Sequence, residues 1–258
     1  MIIYKTQKEI ETMAKGGQLL AEILNEVIAM VKPGIGTMEL DNLAEKLILQ
    51  NGGQPAFKDY KSGAGQKPFP TTLCTSINEE VVHAPARPNR ILKEGDIIGL
   101  DIGMEYQGGF TDMAITVGVG KVSYEEENLI ATAKECLNLA IEQFKEGNYL
   151  SDVAKAIQSY AEENGFTVVK ELVGHGVGQK VHEEPNVPNY VTEESKNIEI
   201  KRGITIAIEP MVNAGGWRVK LLDDGLTFAT ADGSLSAQFE HTVAIDHEGK
   251  TRILTRLE

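Results

Sequence analysis

Apolar residues recur at three- and four-residue intervals in four stretches of the chain, the periodicity of a helix with one buried face. Thr6-Gln7-Lys8-Glu9 forms a capping box, and Ile10, Met13, Ala14, Gly17, Leu20, Ala21, Leu24 and Ile28 follow it. Pro33 and Gly34 stop this first helix. A second runs from about Thr37 to Gln50 with Leu40, Leu43, Ala44 and Leu47 inward, and Asn51-Gly52 closes it with a left-handed cap. Ser123-Tyr124-Glu125-Glu126 opens a third, which carries Leu129, Ala133, Leu137, Ala140 and Ile141 and ends near Gly147. The fourth carries Val153, Ile157, Tyr160 and Ala161 and stops at Asn164-Gly165. Elsewhere the pattern is that of strands: TVVKELV (167–173), ITIAIEP (204–210), SAQFEHTVAI (236–245) and the long stretch 97–120.

The two helix pairs resemble each other. A shift of 113 residues lays Leu24, Asn25, Ile28, Lys32, Gly34, Asn51 and Gly52 on Leu137, Asn138, Ile141, Lys145, Gly147, Asn164 and Gly165. Helix ends share Gly and Asn by rule, but the common length between the ends is not explained that way. A shift of 108 lays ILKEGDIIGLD (91–101) over EIKRGITIAIE (199–209), matching Gly95 with Gly203 and Asp101 with Glu209. The lost five residues imply a longer loop in the first half, and the glycine-rich SGAGQKP (62–68) is the natural place for it. The expectation is one catalytic domain made of two related halves, about 1–118 and 119–258. Facing each other, the halves would bring Asp101 and Glu209 together.

The strands carry carboxylates where a core would be expected. In IIGLDIGMEYQGGFTDMAITVGVG (97–120), apolar β-formers flank the turn signal Tyr106-Gln107-Gly108-Gly109. An antiparallel hairpin centred between 106 and 107 would set Asp101 and Asp112 side by side, and neighbouring anions in an apolar hairpin need a cation. Glu209 ends an otherwise apolar strand, where a lone carboxylate is costly unless paired or metal-bound. Glu240 lies in a further strand, with His241 turned to the opposite face by alternation.

Composition narrows the chemistry. A net charge of −13 over 258 residues argues against a general nucleic-acid binder. No apolar run reaches the ~20 residues of a membrane span, and the start shows no signal-peptide pattern. Cys74 and Cys136 form no recognisable pair, so a reducing cytoplasm is the expectation. Carboxylates with an imidazole suit Mn, Fe(II) or Co, and Zn is also compatible. Several carboxylates can bridge two such ions, about 3.5–4 Å apart, and hold a bridging hydroxide that attacks a carbonyl.

Five histidines are present, and GHGVGQKVHEEP (174–185) holds two of them, His175 and His182. His175 stands between Gly174 and Gly176, which leaves room for close approach to an ion. His182 is too irregularly placed to be a ligand by spacing, His83 in NEEVVHAP is a third candidate, and there is no HExxH helix. His241 is expected to be structural and His247 an exposed turn residue.

Taken together, VKPGIGTMELD, TSINEEVVHAP, the Asp101/Asp112 hairpin, GHGVGQKVHEEP, AIEPMV and SLSAQFEHTV resemble the type I methionine aminopeptidases, a branch of the M24 metallopeptidases, in the short bacterial form. The resemblance covers essentially the whole chain. It implies an α+β pita-bread fold with two pseudo-symmetric halves around a curved antiparallel sheet. It implies two divalent ions held by Asp101, Asp112, His175, Glu209 and Glu240, with Asp112 and Glu240 bridging and Glu209 also assisting proton transfer. His83 and His182 would contact the substrate and stabilise the tetrahedral intermediate, as donors can. Tyr60, Phe69 and Cys74 would line the methionine pocket. The implied substrates are nascent polypeptides with an N-terminal methionine and a small second residue, met at the ribosome by a monomeric cytoplasmic enzyme. No membrane or direct nucleic-acid contact is implied.

The chain departs from the family pattern around the pocket. Val181 stands where many relatives carry a bulky aromatic, Leu226 where a tryptophan is common, and Ala84 where a glycine is common. The 62–68 segment also lies near the pocket in the sequence order. Two rivals share the scaffold. One is an aminopeptidase cutting before proline, which has the same five ligands and usually an added N-terminal domain that this sequence does not show. The other is a metal-free binding protein, which typically loses ligands; here all five positions can bind metal.

Overall fold

The computed structural model describes residues 1–61 and 67–256. The helices are α1 (Gln7–Ala29), α2 (Thr37–Gln50), α3 (Tyr124–Gln143) and α4 (Leu150–Glu163). The first strands are β1 (Gln54–Pro55), β2 (Leu73–Ile77), β3 (Glu80–Val82), β4 (Ile97–Tyr106) and β5 (Gly109–Gly118). Then come β6 (Thr167–Val168), β7 (Gly174–Gly176), β8 (Glu183–Val187), β9 (Thr205–Ile208) and β10 (Met211–Asn213). The last are β11 (Val219–Leu221), β12 (Phe228–Thr230), β13 (Ser236–Gln238), β14 (Glu240–Ile245) and β15 (Thr251–Ile253). No helix among the described residues is long and apolar enough to cross a membrane.

Local sequence explains the helix ends. Thr6 and Ser123 each accept the backbone N–H of a glutamate three residues on, and that glutamate reaches back to the cap's own N–H. α3 stops at Gln143, short of the expected Gly147, where the chain already turns at Lys145. The 113-residue shift carries α2 onto α4 end to end, laying Thr37 on Leu150 and Gln50 on Glu163.

The main sheet runs β1-β4-β5-β14-β9-β7-β8, with β2 added beside β4 and β15 beside β14, and its pairings are antiparallel. Alternation splits it into two faces. Ile98, Leu100, Ile102 and Met104 of β4 pack with Leu20, Leu24, Leu40 and Ile48 of α1 and α2. Ile206 and Ile208 of β9 and Val243 and Ile245 of β14 pack with Ala133, Leu137, Val153 and Ile157 of α3 and α4. Both helix pairs therefore cover one face, and Asp101, Asp112 and Glu240 belong to the other.

The β4–β5 turn corrects one expectation. Gln107 and Gly108 both have positive φ, +51° and +85°, so the two-residue turn is centred between 107 and 108. Asp101 then pairs with Ala114 and Asp112 with Gly103, and the two aspartates are diagonal neighbours rather than opposite ones.

Gly17 of α1 gives a stability test. A Cβ there would lie 2.3 Å from the Leu254 carbonyl oxygen, a backbone atom with little room to move. Gly→Ala inside a helix ordinarily gains about 1 kcal/mol. Here overpacking, which typically costs about 1–3 kcal/mol, outweighs that gain. Gly17→Ala should lower the urea midpoint; a raised midpoint would show that the Leu254 segment yields.

Candidate metal centre and substrate pocket

Strand register assembles the site from residues far apart in sequence. Ala114 of β5 pairs with Asp101 on one side and Glu240 on the other. His241 pairs with Ile208, so the same register continued by one step places Glu209 beside Glu240. A second row lies two residues along, with Gly103, Asp112, Thr242, Ala207 and His175 on successive strands. Thr242 locks it: its hydroxyl accepts from the Asp112 N–H at 2.9 Å and donates to the Asp112 carbonyl at 2.8 Å. The small residues Ala114 and Ala207 stand between the longer side chains on this face, and the room beside Gly103 is taken by the Phe57 ring.

The convergence is close. His175 Nε2 lies 3.9 Å from Asp112 Oδ2 and 3.7 Å from Glu209 Oε1. Ligand atoms of Asp112, His175 and Glu240 all fall within 4.8 Å of one another. Asp101 joins them through contact with Asp112. His175 Nδ1 is 2.9 Å from the Gly176 carbonyl, which can only accept, so Nδ1 carries the proton and Nε2 turns its lone pair inward.

The electrostatics ask for a cation. Burial raises the pKa of Asp101, Asp112, Glu209 and Glu240, and mutual repulsion raises Asp112, Glu209 and Glu240 further. Asp101 Oδ1, Asp112 Oδ1 and Glu240 Oε1 are buried with no hydrogen-bond partner. Orphaned carboxylate oxygens beside an unprotonated imidazole nitrogen fit a divalent metal of the Mn, Fe(II), Co or Zn kind.

The other two histidines stand at the wall. His182 Nδ1 is 2.8 Å from the Tyr60 hydroxyl, and its ring meets the His175 ring edge-on with centroids 4.3 Å apart. His83 packs edge-on against Phe228 and holds a left-handed φ of +59°, sparsely populated for a non-glycine residue. Desolvation by the surrounding protein lowers His83 and His175 to about 4 and His182 to about 3, though the His83 and His182 side chains stay open to the solvent side of the wall. All three are neutral at pH 7. His241 faces away from Glu240 and bonds the Thr255 hydroxyl at 3.0 Å. His247 is an exposed turn residue, as expected, and also donates from Nε2 to the Lys5 carbonyl at 3.0 Å.

Two cavities meet here. One, of about 490 Å³, is apolar and lined by Phe57, Tyr60, Phe69, Cys74, Leu226 and Phe228. The other, of about 610 Å³, is more open and runs past Ile3, Lys180, Glu184 and Asn186. Tyr60, His83, His175, His182 and Glu209 border both. Val181 is buried in the pocket cluster with Phe57, Phe69 and Cys74, and Leu226 packs against it. Ala84 is buried. Residues 62–66 of the SGAGQKP segment lie outside the described residues.

Some participants escaped the sequence reading. Gln238 donates to Glu209 Oε2 at 3.3 Å. It lies two residues before Glu240, and strand alternation alone could have put it on the same face. Phe57 carried no signal of its own. Lys5 forms a buried ion pair with Glu183, 178 positions away, which no local pattern reveals.

A curled antiparallel sheet with a carboxylate–imidazole centre, set between an apolar pocket and an open groove, defines a metal-dependent peptidase of the pita-bread class. Residues 11–247 match the model of metallopeptidase family M24. A methionine aminopeptidase of Clostridium perfringens is 45% identical over 258 residues, the whole of both chains. The crystal structure of a methionine aminopeptidase from Thermotoga maritima superposes with a TM-score of 0.92 at 40% identity, over 99% of this chain and 100% of that one. An Xaa-Pro dipeptidase from Bacillus anthracis shares the fold at a TM-score of 0.76 and 18% identity, with 62% of its chain covered. The chain belongs to metallopeptidase family M24, within its methionine aminopeptidase group.

The shifted carboxylates give a pH test on metal-free protein. Well above the ordinary histidine value of about 6.5, the histidines are neutral in both folded and unfolded chains and contribute no further change. The carboxylates, raised when folded, favour the folded state at low pH and lose that contribution as pH rises through their folded values. With chelator present, the melting temperature should fall with rising pH above the histidine range, for as long as the folded Asp112, Glu209 and Glu240 hold protons that the unfolded chain has lost. Saturating Mn²⁺ should abolish the fall, and an unchanged fall would contradict metal binding by these groups.

Proposed function

We propose that this chain removes the N-terminal methionine of nascent polypeptides and peptides. The observation that carries the reading is the junction of the apolar pocket and the open groove at the carboxylate–imidazole centre. A terminal side chain fits the pocket while the rest of the chain leaves along the groove. Phe57, Phe69 and Cys74 offer the aromatic and soft surfaces that suit a thioether, with Tyr60 at the edge.

Asp101, Asp112, His175, Glu209 and Glu240 would hold the two divalent ions. Ions bound there would polarise the scissile carbonyl and lower the pKa of water near neutral pH. The remaining chemistry falls to the protein. Glu209 would take and return a proton, a reading supported by its Oε1 lying toward His175 and its Oε2 accepting from Gln238. His83 and His182, neutral at pH 7, can donate to the oxygen where charge develops without adding fixed charge to the site. Tyr60 orients His182 through its hydroxyl.

The two halves, 1–118 and 119–258, are proposed to be related, supported by the coincidence of α2 and α4 and by the positive φ of Gly95 and Gly203 at matched positions. A cytoplasmic monomer that meets its substrate at the ribosome follows from the family resemblance. Val181 and Leu226, both packed in the pocket cluster, are the residues expected to shape its selectivity.

With Mn or Co supplied, Met-Ala-Ser should be cleaved in preference to an Xaa-Pro peptide; the reverse preference would overturn the reading. Absence of both bound metal and metal-restored activity would favour a binding protein. His182→Ala should lower kcat on the order of 100–1,000-fold while metal content stays near wild type. Loss of metal from that variant would make His182 a ligand.

A further inference from the structure

We infer that Lys5 and Glu183 form a positioning pair that sets His182 against the substrate. The inference rests on the reading above, in which His182 meets the substrate. Lys5 is 2% exposed. Its ammonium lies 2.5 Å from Glu183 Oε2 and donates to the Ile3 carbonyl at 3.0 Å. The Glu183 side chain is itself 2% exposed, so both charges are withdrawn from water. Removing one partner of such a pair leaves a buried charge without compensation.

Glu183 is the hub of the loop that presents His182. Its Oε1 accepts the backbone N–H groups of Gln179 at 2.6 Å and Lys180 at 2.8 Å. The carboxylate thus closes residues 179–183 into a compact turn, with His182 immediately before the anchor. The lysine stem packs against the start of the turn: a Cβ on Gly178 would lie 2.1 Å from Lys5 Cε.

Lys5 is in turn fixed to the frame of the sheet. Its backbone N–H donates to the Gly203 carbonyl at 2.7 Å, and its carbonyl accepts from His247. Gly203 leads into β9, the strand that Glu209 immediately follows. A chain of contacts therefore runs from the strand beside the metal-binding carboxylates, through Lys5 and Glu183, to His182. The same ammonium also donates to the carbonyl of Ile3, which lines the groove. The pair holds the loop that carries His182 against this frame. Neither residue needs to touch the substrate, so both are positioning residues.

The test is a double-mutant cycle. Lys5→Met keeps the length of the stem and removes the charge. It should lower kcat on Met-Ala-Ser on the order of 10–100-fold, the scale of a misplacement of about 1 Å, with metal content unchanged. In a His182→Ala background the same substitution should change kcat by less than about twofold, because the group it positions is gone. Lys5→Arg should restore most of the loss. Amide exchange at Gln179 and Lys180 should be faster in Lys5→Met than in wild type, with or without metal. Where Lys5→Met does not fold, Glu183→Gln replaces it in the same cycle. An equal loss of kcat in both backgrounds, or no loss in either, would overturn the inference, as would unchanged exchange. Wild-type protein that fails to cleave Met-Ala-Ser overturns the functional reading instead, and the exchange contrast still decides whether the pair holds the loop.

Discussion

Four carboxylates crowded onto one face of a sheet are the constraint on which the rest of the structure depends. Asp101, Asp112, Glu209 and Glu240 are each at most 9% exposed, and three of them carry an oxygen with no hydrogen-bond partner. Without a cation the groups must take up protons or repel one another. The fold resists their separation: register fixes Asp101 and Glu240 on either side of Ala114, and Thr242 clamps the Asp112 backbone. The site is a pre-formed anionic cradle, stable to the extent that something positive fills it.

Everything around the cradle keeps it in place and keeps it accessible. The helix pairs bury the apolar face of the sheet, which leaves the opposite face free to be polar. Small residues stand between the carboxylates, and the pocket and groove open on either side. His175 is held by its bond to Gly176, and His182 by Tyr60 and by the loop anchored at Glu183. A neutral histidine pair beside an anionic centre avoids competition between imidazolium and metal for the same carboxylates.

Much of this was legible in the sequence because the signals were local. Capping boxes and helical periodicity located the four helices, and the turn signal located the hairpin. The carboxylates stood out because each interrupts an apolar strand, where it has no reason to be unless partnered. What was missed depended on register or on long-range contact. A shift of one residue in the turn centre made Asp101 and Asp112 diagonal neighbours, and that shift follows from the φ values of Gln107 and Gly108 rather than from composition. Gln238 was within reach of strand alternation. Lys5 and His247 were not, because their partners lie 178 and 242 positions away.

The most direct measurement is calorimetric titration of metal-free protein with Mn²⁺ in buffers of different ionisation enthalpy. Because the empty cradle holds protons that a cation must displace, Mn²⁺ binding should release protons near neutral pH. Replacing Asp112 and Glu240 together with alanine should abolish the binding. Binding without proton release, or undiminished binding in the doubly substituted protein, would contradict the assignment of these carboxylates as the metal's cradle.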